Sequence, residues 1–335
     1  MSVPEIEKIT AFKNICPYLD VKRQEELARE LGIDGVDLDR RLEGLRNEDE
    51  FVLILHFLRS CKHLIPFEEG APQLTGTAAP DLLVQLHSGE KLLIEVKSSE
   101  KDLLKLGTGR VKKCMAVAED LGLPLYFALK QRGVWGLFSA EHVLAQTGKL
   151  RLVEDFTKSE FDAKFGSQWY MLPGGLEFHY LYQHDGVGLV QSKHGPLVRF
   201  AVRFRGKRIM QATGTESNMF AAHMLRAVAL QGKQDEPLGG LTRGKYTKVV
   251  YRLPFNLSIA DYHLYLRLIH GTSREGGAKY DRTTYLKNLQ GREEPVTVDA
   301  ARTVFRHLEY GGLTVLRVAT SASPKAGPAD GNPSA

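Results

Sequence analysis

Apolar and polar residues alternate with two different periods in the first half of the chain, and this pattern predicts an α/β core over residues 48–150. Three acidic residues followed by the apolar run Phe51-Val52-Leu53-Ile54-Leu55 predict the start of a helix. Two short apolar runs flank Ser88-Gly89-Glu90, which predicts a β-hairpin. In chain order we predict a helix over 48–64, strands over 63–69, 81–87 and 91–97, a helix over 101–121, and strands over 125–129 and 133–138. The first six elements therefore follow the order α-β-β-β-α-β.

Residues 1–47 are predicted to form an N-terminal helical segment. Amphipathic patterns over 21–31 and 37–45 predict two short helices on either side of Gly32. A helix-turn-helix is one interpretation of the leucine spacing. We favour the alternative, which is a helical cap on the following domain.

After Gln168 the chain changes to aromatic, glycine-rich strand patterns, and we predict a C-terminal α+β domain over 168–319 that binds DNA or a partner. Residues 320–335 are rich in Ser, Pro, Gly and Ala and are predicted to be a disordered tail. The predicted strands are 177–183, 187–191, 197–205, 249–253 and 313–318; the helices are 215–230, 258–269 with Ser258 as its N-cap, 282–289 and 297–308; and 232–246 is an exposed loop. The last helices and strand resemble a winged helix, with an ordinary α+β arrangement as the alternative.

Composition narrows the class of protein. The 335 residues are 43% hydrophobic and 25% charged, which is ordinary for a globular protein of about two domains. No run is long and apolar enough to span a bilayer, and the first residues do not resemble a signal peptide. The scattered Cys16, Cys61 and Cys114 fit neither a zinc site nor a disulfide framework. We therefore expect a cytoplasmic protein that does not interact with membranes.

The predicted hairpin carries the most informative polar residues. If its turn centres on Gly89, Asp81 lies opposite Lys97 and one step from Glu95. Because side chains alternate along a strand, Glu95 and Lys97 share one face while Val96 points to the other. Two carboxylates and one ammonium group would then meet at the end of two apolar strands.

These three groups are the ones that phosphodiester hydrolysis needs. Carboxylate oxygens hold Mg²⁺, which polarises a phosphoryl oxygen and acidifies a bound water. A lysine can orient or deprotonate that water and offset charge on the phosphate. The alternative is an exposed ladder of salt bridges without catalytic function. We favour the catalytic interpretation because Pro80 breaks the strand before Asp81, and because charges beside the apolar run Leu92-Leu93-Ile94 are costly unless they are used.

Residues 48–140 resemble the PD-(D/E)xK nuclease superfamily, which includes many restriction enzymes and Holliday-junction resolvases. Pro80-Asp81 matches the PD element, Glu95-Val96-Lys97 matches the ExK element, and the element order matches the family core. The resemblance implies that Asp81, Glu95 and Lys97 are catalytic, that Asp81, Glu95 and the Val96 carbonyl bind Mg²⁺ or its substitute Mn²⁺, and that Lys97 serves the attacking water. Many members carry one more glutamate on the first helix, for which we prefer Glu50. The other candidates are Glu48, Glu68 and Glu69.

A net charge of +5 permits binding to nucleic acid. Basic residues are frequent after Arg199, and Arg302 and Arg306 share one face of a predicted helix. With Arg205, Lys207 and Arg208, they are our predicted nucleic-acid-binding residues.

We therefore expect a Mg²⁺-dependent DNA endonuclease that acts in restriction, recombination, repair or phage defence. The alternatives are a nucleic-acid-binding protein with an inactive nuclease-like core, and a nuclease that acts on RNA. The sequence leaves a homodimer open.

Overall fold

The computed structural model describes residues 3–33, 36–67, 77–185, 191–192, 194–213, 225, 239–272, 298–312 and 316–318. These residues divide into two compact units between Gly166 and Ser167. Unit 1 contains both the predicted helical segment and the predicted α/β core. Over the ranges described, no helix is long and apolar enough to cross a membrane.

Three helices precede the sheet of unit 1: α1 (Val3–Ile15), α2 (Val21–Glu30) and α3 (Val36–Leu58). α3 is one continuous helix where the sequence predicted two, so the predicted domain boundary at 47/48 falls inside it. The residues between the two predicted helices, Arg46 and Asn47, include neither glycine nor proline, and the helix continues through them. It ends earlier than predicted because Arg59 adopts a positive φ of 51°.

A mixed five-stranded sheet forms the centre of unit 1. In chain order the strands of this unit are β1 (Cys61–Pro66), β2 (Leu82–Leu86), β3 (Lys91–Ser99), β4 (Leu104–Lys105), β5 (Leu125–Gln131), β6 (Val134–Ser139) and β7 (Lys149–Leu150). The sheet order is β1-β2-β3-β5-β6, in which β3 and β5 are parallel and the other neighbours antiparallel. The predicted α-β-β-β-α-β order is found, with the short β4 added.

Helices cover both faces of this sheet. The parallel connection from β3 to β5 is made by α4 (Thr108–Asp120), and Val111 of α4 packs in one apolar cluster with Leu93 and Phe127. We call this side of the sheet the α4 face. α3 covers the other side, the α3 face, where the rings of Phe51 and Trp135 lie 5.1 Å apart. Three short helices complete the unit: α5 (Ala140–Ala145), α6 (Leu152–Asp155) and α7 (Phe161–Phe165).

The β2–β3 hairpin turns on His87-Ser88-Gly89. The Gly89 N–H donates to the Leu86 oxygen at 3.0 Å, and the Leu86 N–H donates to the Glu90 oxygen at 2.8 Å. Gly89 ends this three-residue loop with a φ of 92°, a conformation that favours glycine. The turn therefore centres on Ser88, and the predicted centre at Gly89 is wrong. Since Leu82 pairs with Ile94, Asp81 lies level with Glu95 and not with Lys97.

Unit 2 is built on two antiparallel sheets. Its elements in chain order are β8 (Trp169–Leu172), β9 (Glu177–Gln183), β10 (Gln191–Ser192), β11 (Gly195–Phe204), β12 (Lys207–Thr213), β13 (Gly239–Arg243), β14 (Tyr246–Arg252), β15 (Leu257–Ala260), α8 (Asp261–Thr272), α9 (Val298–Tyr310) and β16 (Leu316–Val318). The larger sheet has the order β10-β11-β9-β14-β13, and β12 also pairs with β11. The smaller sheet has the order β15-β8-β16.

Several predictions for unit 2 need correction. Part of the predicted loop is strand β13, because Gly244, with a φ of 60°, opens a tight hairpin turn between Arg243 and Tyr246. Ser258 is not an N-cap, since it pairs with Met171 in the smaller sheet and the helix begins at Asp261. β16 pairs with β8, at the start of the unit, and so does not form the wing of a winged helix. The predicted helices over 215–230 (apart from Leu225) and 282–289, most of the strand over 187–191, and the tail over 320–335 lie outside the described residues.

Candidate active site

The predicted catalytic residues come together where β2 and β3 separate. Pro80, two residues before β2, has no N–H with which to continue the pairing to β3. The main-chain polar groups of Val96 are bound instead by side chains. The Val96 N–H donates to Asp81 Oδ2 at 2.6 Å, and the Val96 oxygen accepts from Lys97 Nζ at 2.8 Å. Strand pairing thus ends at the point where the polar site begins.

The Lys97 ammonium group lies at the centre of this site. Its Nζ is 2.7 Å from Glu95 Oε1 and 3.6 Å from Asp81 Oδ2. It therefore contacts oxygen atoms of Asp81, Glu95 and Val96, three of the four residues that the sequence predicted as metal ligands. A cationic group already occupies the place where these oxygens converge.

Arg110 is a further residue of the site that the sequence pattern did not predict. It lies in the first turn of α4, and its Nε and Nη2 are each 2.8 Å from Glu95 Oε1. Its side chain is 52% exposed, whereas that of Glu95 is 0% exposed, so Arg110 connects the buried carboxylate to solvent. The sequence does show a basic residue in the first turn of the helix after the ExK strand, but its contact with Glu95 depends on how α4 packs on the sheet.

Burial and mutual charge perturb the ionisation of these groups. Burial, with the neighbouring Glu95 charge, raises the pKa of Asp81 to about 6, although Lys97 and the Val96 N–H act in the opposite direction. Burial alone would lower the pKa of Lys97, but attraction to Asp81 and Glu95 outweighs it and raises that pKa. The same balance with Glu95 raises the pKa of Arg110. The site thus holds its two cations charged and makes Asp81 a weaker acid than usual.

The oxygen donors of the site fit a hard divalent cation. Glu95 Oε2 is buried and has no hydrogen-bond partner among the described residues, a costly state that a metal ligand bond would relieve. Across the described ranges there is no group of three or more His, Cys, Asp or Glu side chains that could hold a metal. A cation here would use two carboxylates, the Val96 carbonyl, substrate oxygens and water, which is typical of Mg²⁺.

Glu50 does not join this site. Its Oε2 is 2.9 Å from Lys130 Nζ, and its Oε1 accepts from Trp135 Nε1 at 3.0 Å. Lys130 pairs with Ser98 and Trp135, and so belongs to the α3 face, whereas Glu95 and Lys97 lie on the α4 face. The sheet separates Glu50 from the other predicted ligands. Among its rivals, Glu48 is half-buried on α3, and Glu68 and Glu69 lie outside the described residues.

The two predicted DNA-binding residues on α9 have different environments. Arg302 donates from Nε and Nη2 to Asp261 Oδ2, at 3.0 and 2.9 Å. Asp261 is fully buried and also accepts from Ser167 Oγ at 3.0 Å. Arg302 therefore has a structural role in unit 2. Arg306 is exposed and donates to Thr303 Oγ1 at 2.8 Å.

Arg205, Lys207 and Arg208 lie together at the hairpin between β11 and β12, and all three are exposed. Arg205 has a φ of 48° at the tip of the turn and stacks over Phe204 at 5.1 Å from the ring centroid. These residues remain available to a polyanion.

Comparison with known proteins adds little. No protein-family model and no curated protein matches the chain. Among solved structures, a Holliday junction resolvase from Archaeoglobus fulgidus, Hjc, is 22% identical over an alignment that covers 30% of this chain and 83% of that chain, with a TM-score of 0.26. A similarity at this level carries no conclusion about function.

Proposed function

We propose that this chain is a metal-dependent nuclease of the PD-(D/E)xK type that hydrolyses phosphodiester bonds in DNA. The observation that carries the proposal is the convergence of Asp81, Glu95, Lys97 and the Val96 carbonyl on one small site between β2 and β3. Glu95 Oε2, which is buried and has no hydrogen-bond partner in the described part of the chain, supports a cation at this site.

Asp81, Glu95 and the Val96 oxygen would hold Mg²⁺. When bound, Mg²⁺ supplies an acidified water and polarises a phosphoryl oxygen. The chain's own residues determine the rest. Asp81 is oriented by its 2.6 Å hydrogen bond from the Val96 N–H, so its carboxylate is held before any ligand arrives.

Lys97 has two consequences for the chemistry. In the structure its ammonium group balances the Asp81 and Glu95 carboxylates. If those oxygens held a metal ion, the Lys97 ammonium group would be free to contact the attacking water and the phosphate, where it could orient the water or offset developing charge. Arg110 shares this position toward solvent and is suited to contact a phosphate oxygen.

The proposal is tested by incubating the purified chain with supercoiled circular DNA, linear duplex DNA and RNA, each with Mg²⁺ and with EDTA. We expect nicking or double-strand cleavage of DNA in Mg²⁺ and none in EDTA. A Lys97→Ala variant prepared in parallel should bind DNA and leave it intact, which controls for a contaminating nuclease. DNA binding without cleavage by the wild-type chain would instead indicate an inactive nuclease-like core, and cleavage of RNA alone would indicate an RNA-directed enzyme.

A further inference from the structure

One face of the larger sheet of unit 2 is strongly basic. Side chains alternate along its strands, and the aromatic set faces the core: Phe178, Tyr180, Tyr182 and Phe200 are all buried. The opposite face carries Arg199 and Arg203 on β11, Arg208 on β12, and Lys248 and Arg252 on β14, all of them exposed. We call these five residues the basic face.

The strand register arranges four of these cations in two rows, Arg199 and Arg203 on β11 and Lys248 and Arg252 on β14, on either side of β9. Arg199 and Lys248 both lie opposite Leu181, while Arg203 and Arg252 both lie opposite Glu177. Two strand spacings separate the rows by about 10 Å, and four residues along a strand span about 13 Å. The grooves of B-form DNA are about 6 and 12 Å wide, so two rows at this separation, on long and flexible side chains, can contact phosphates on both sides of one groove.

The basic face is not neutralised by its own sheet. Glu177 is the acidic residue of β9 there, and it is already paired to Arg252 and to His179 Nε2, the latter at 3.0 Å. Arg203 pairs directly with Arg208 across β11 and β12, which places like charges opposite each other at a cost to stability. Within the described ranges, the side chains of Arg199, Arg203 and Lys248 make no hydrogen bond or ion pair. A fold that keeps such a face gains from a polyanionic partner.

His179 reports the local excess of positive charge. Its ring lies on this face between the two rows. Burial lowers its pKa, and the nearby charges of Lys248 and Arg203 lower it further, despite the opposing contact with Glu177. Burial and the surrounding cations therefore disfavour the protonated form of His179.

We propose that the basic face binds duplex DNA through its phosphates, with β9 over a groove and the two rows of cations on the flanking strands. The choice of DNA as partner rests on the proposed nuclease function, whereas the location rests on the sheet alone. This places DNA binding on the sheet of unit 2 and not on helix α9, where Arg302 is committed to Asp261.

The test is the binding of the full chain to a fluorescently labelled 20-base-pair duplex, measured by anisotropy in EDTA over a series of salt concentrations. The variant Arg199→Ala/Arg203→Ala/Lys248→Ala removes three cations whose side chains have no acidic partner among the described residues. Its Kd should be about tenfold weaker or more, and the slope of log K against log salt should be shallower by roughly 3 units, about 0.9 for each lost phosphate contact. Because binding is measured without metal, a catalytically inactive chain still gives a result.

A matched control removes the same charge elsewhere. Lys22, Arg23 and Arg29 are exposed on α2, and replacing all three with alanine should leave the slope unchanged. The variant Arg199→Lys/Arg203→Lys keeps the charge and should retain binding. The proposal is overturned if the triple variant binds with wild-type slope while its circular dichroism is unchanged. It is also overturned if the α2 variant loses as much affinity, or if the chain prefers single-stranded DNA or RNA of equal length.

Discussion

Replacing Asp81 with asparagine should stabilise the metal-free protein, by an amount that depends on pH. In the folded chain the pKa of Asp81 is raised to about 6 by burial, against a value of 3.8 for the unperturbed group. A folded-state pKa above the unfolded one means that the folded state prefers the protonated acid. Stability from this group is therefore fully present below pH 3.8 and is lost as the pH rises through about 6.

The magnitude follows from the difference between the two pKa values. About two units correspond to roughly 3 kcal/mol of unfolding free energy, which wild-type protein loses between about pH 4 and pH 6. Asparagine does not ionise, and its amide oxygen can still accept from the Val96 N–H, which Asp81 accepts at 2.6 Å. The Asp81→Asn variant should therefore be more stable than wild type by up to about 3 kcal/mol at pH 7.5, and close to it at pH 4.

Urea unfolding in EDTA, followed by tryptophan fluorescence, measures this difference. The chain has two tryptophans, one in each unit, so a Trp169→Phe background leaves Trp135 to report on unit 1. Adding Mg²⁺ at pH 7.5 should close the gap, because the metal binds only the protein with an ionised carboxylate. If the difference in unfolding free energy between wild type and Asp81→Asn is the same at pH 4 and at pH 7.5, the argument that burial of this charge is costly is refuted.

Three further substitutions separate structural roles from catalytic ones. Glu50→Gln should leave the Mg²⁺ midpoint of cleavage unchanged but lower stability by about 2–3 kcal/mol in urea unfolding, because Lys130 would lose its only carboxylate partner among the described residues. A shifted midpoint would return Glu50 to the metal site. Arg302→Ala should lower the free energy of unfolding by about 3 kcal/mol, because Asp261 would be buried without its cation, and should have little effect on DNA affinity. An unchanged melting temperature with weaker DNA binding would contradict this. Gly148→Ala should destabilise unit 1 by about 2–3 kcal/mol, because Gly148 has a φ of 72° and an added Cβ would lie 2.2 Å from a main-chain oxygen; wild-type stability in the same unfolding assay would rule out this strain.

The order of elements in unit 1 could be predicted because it depends on local periodicity. Apolar runs such as Leu92-Leu93-Ile94 and the turn around Gly89 are local signals, and the structure places β3 where they predict it. The predicted register of the β2–β3 hairpin is wrong because the turn centres on Ser88, one residue before the predicted centre at Gly89. That error depended on whether Gly89 stands in the middle of the loop or at its end, which its left-handed conformation decides.

Contacts across the fold could not be predicted in the same way. The position of Glu50 at the start of an apolar helix favours a metal ligand, but which sheet face it meets depends on how that helix docks and where Lys130 lies. Arg302 appeared as an exposed helical cation, yet its partner Asp261 is 41 residues away and buried. In both cases a charge that is largely removed from water needs a counter-ion, and that counter-ion is too distant in sequence to be identified from the local pattern.

The most direct test of the central claim is nicking of supercoiled DNA by matched carboxylate variants. Wild-type protein, Asp81→Ala, Glu95→Gln and Asp102→Asn would be compared in Mg²⁺ at equal concentration. Asp102 is a suitable control because its side chain is 73% exposed and pairs with Arg132 on the surface. We predict that wild type and Asp102→Asn nick the DNA at the same rate and that the other two variants do not cut it while still binding it. Near wild-type cleavage by Glu95→Gln or Asp81→Ala would contradict the assignment of the active site.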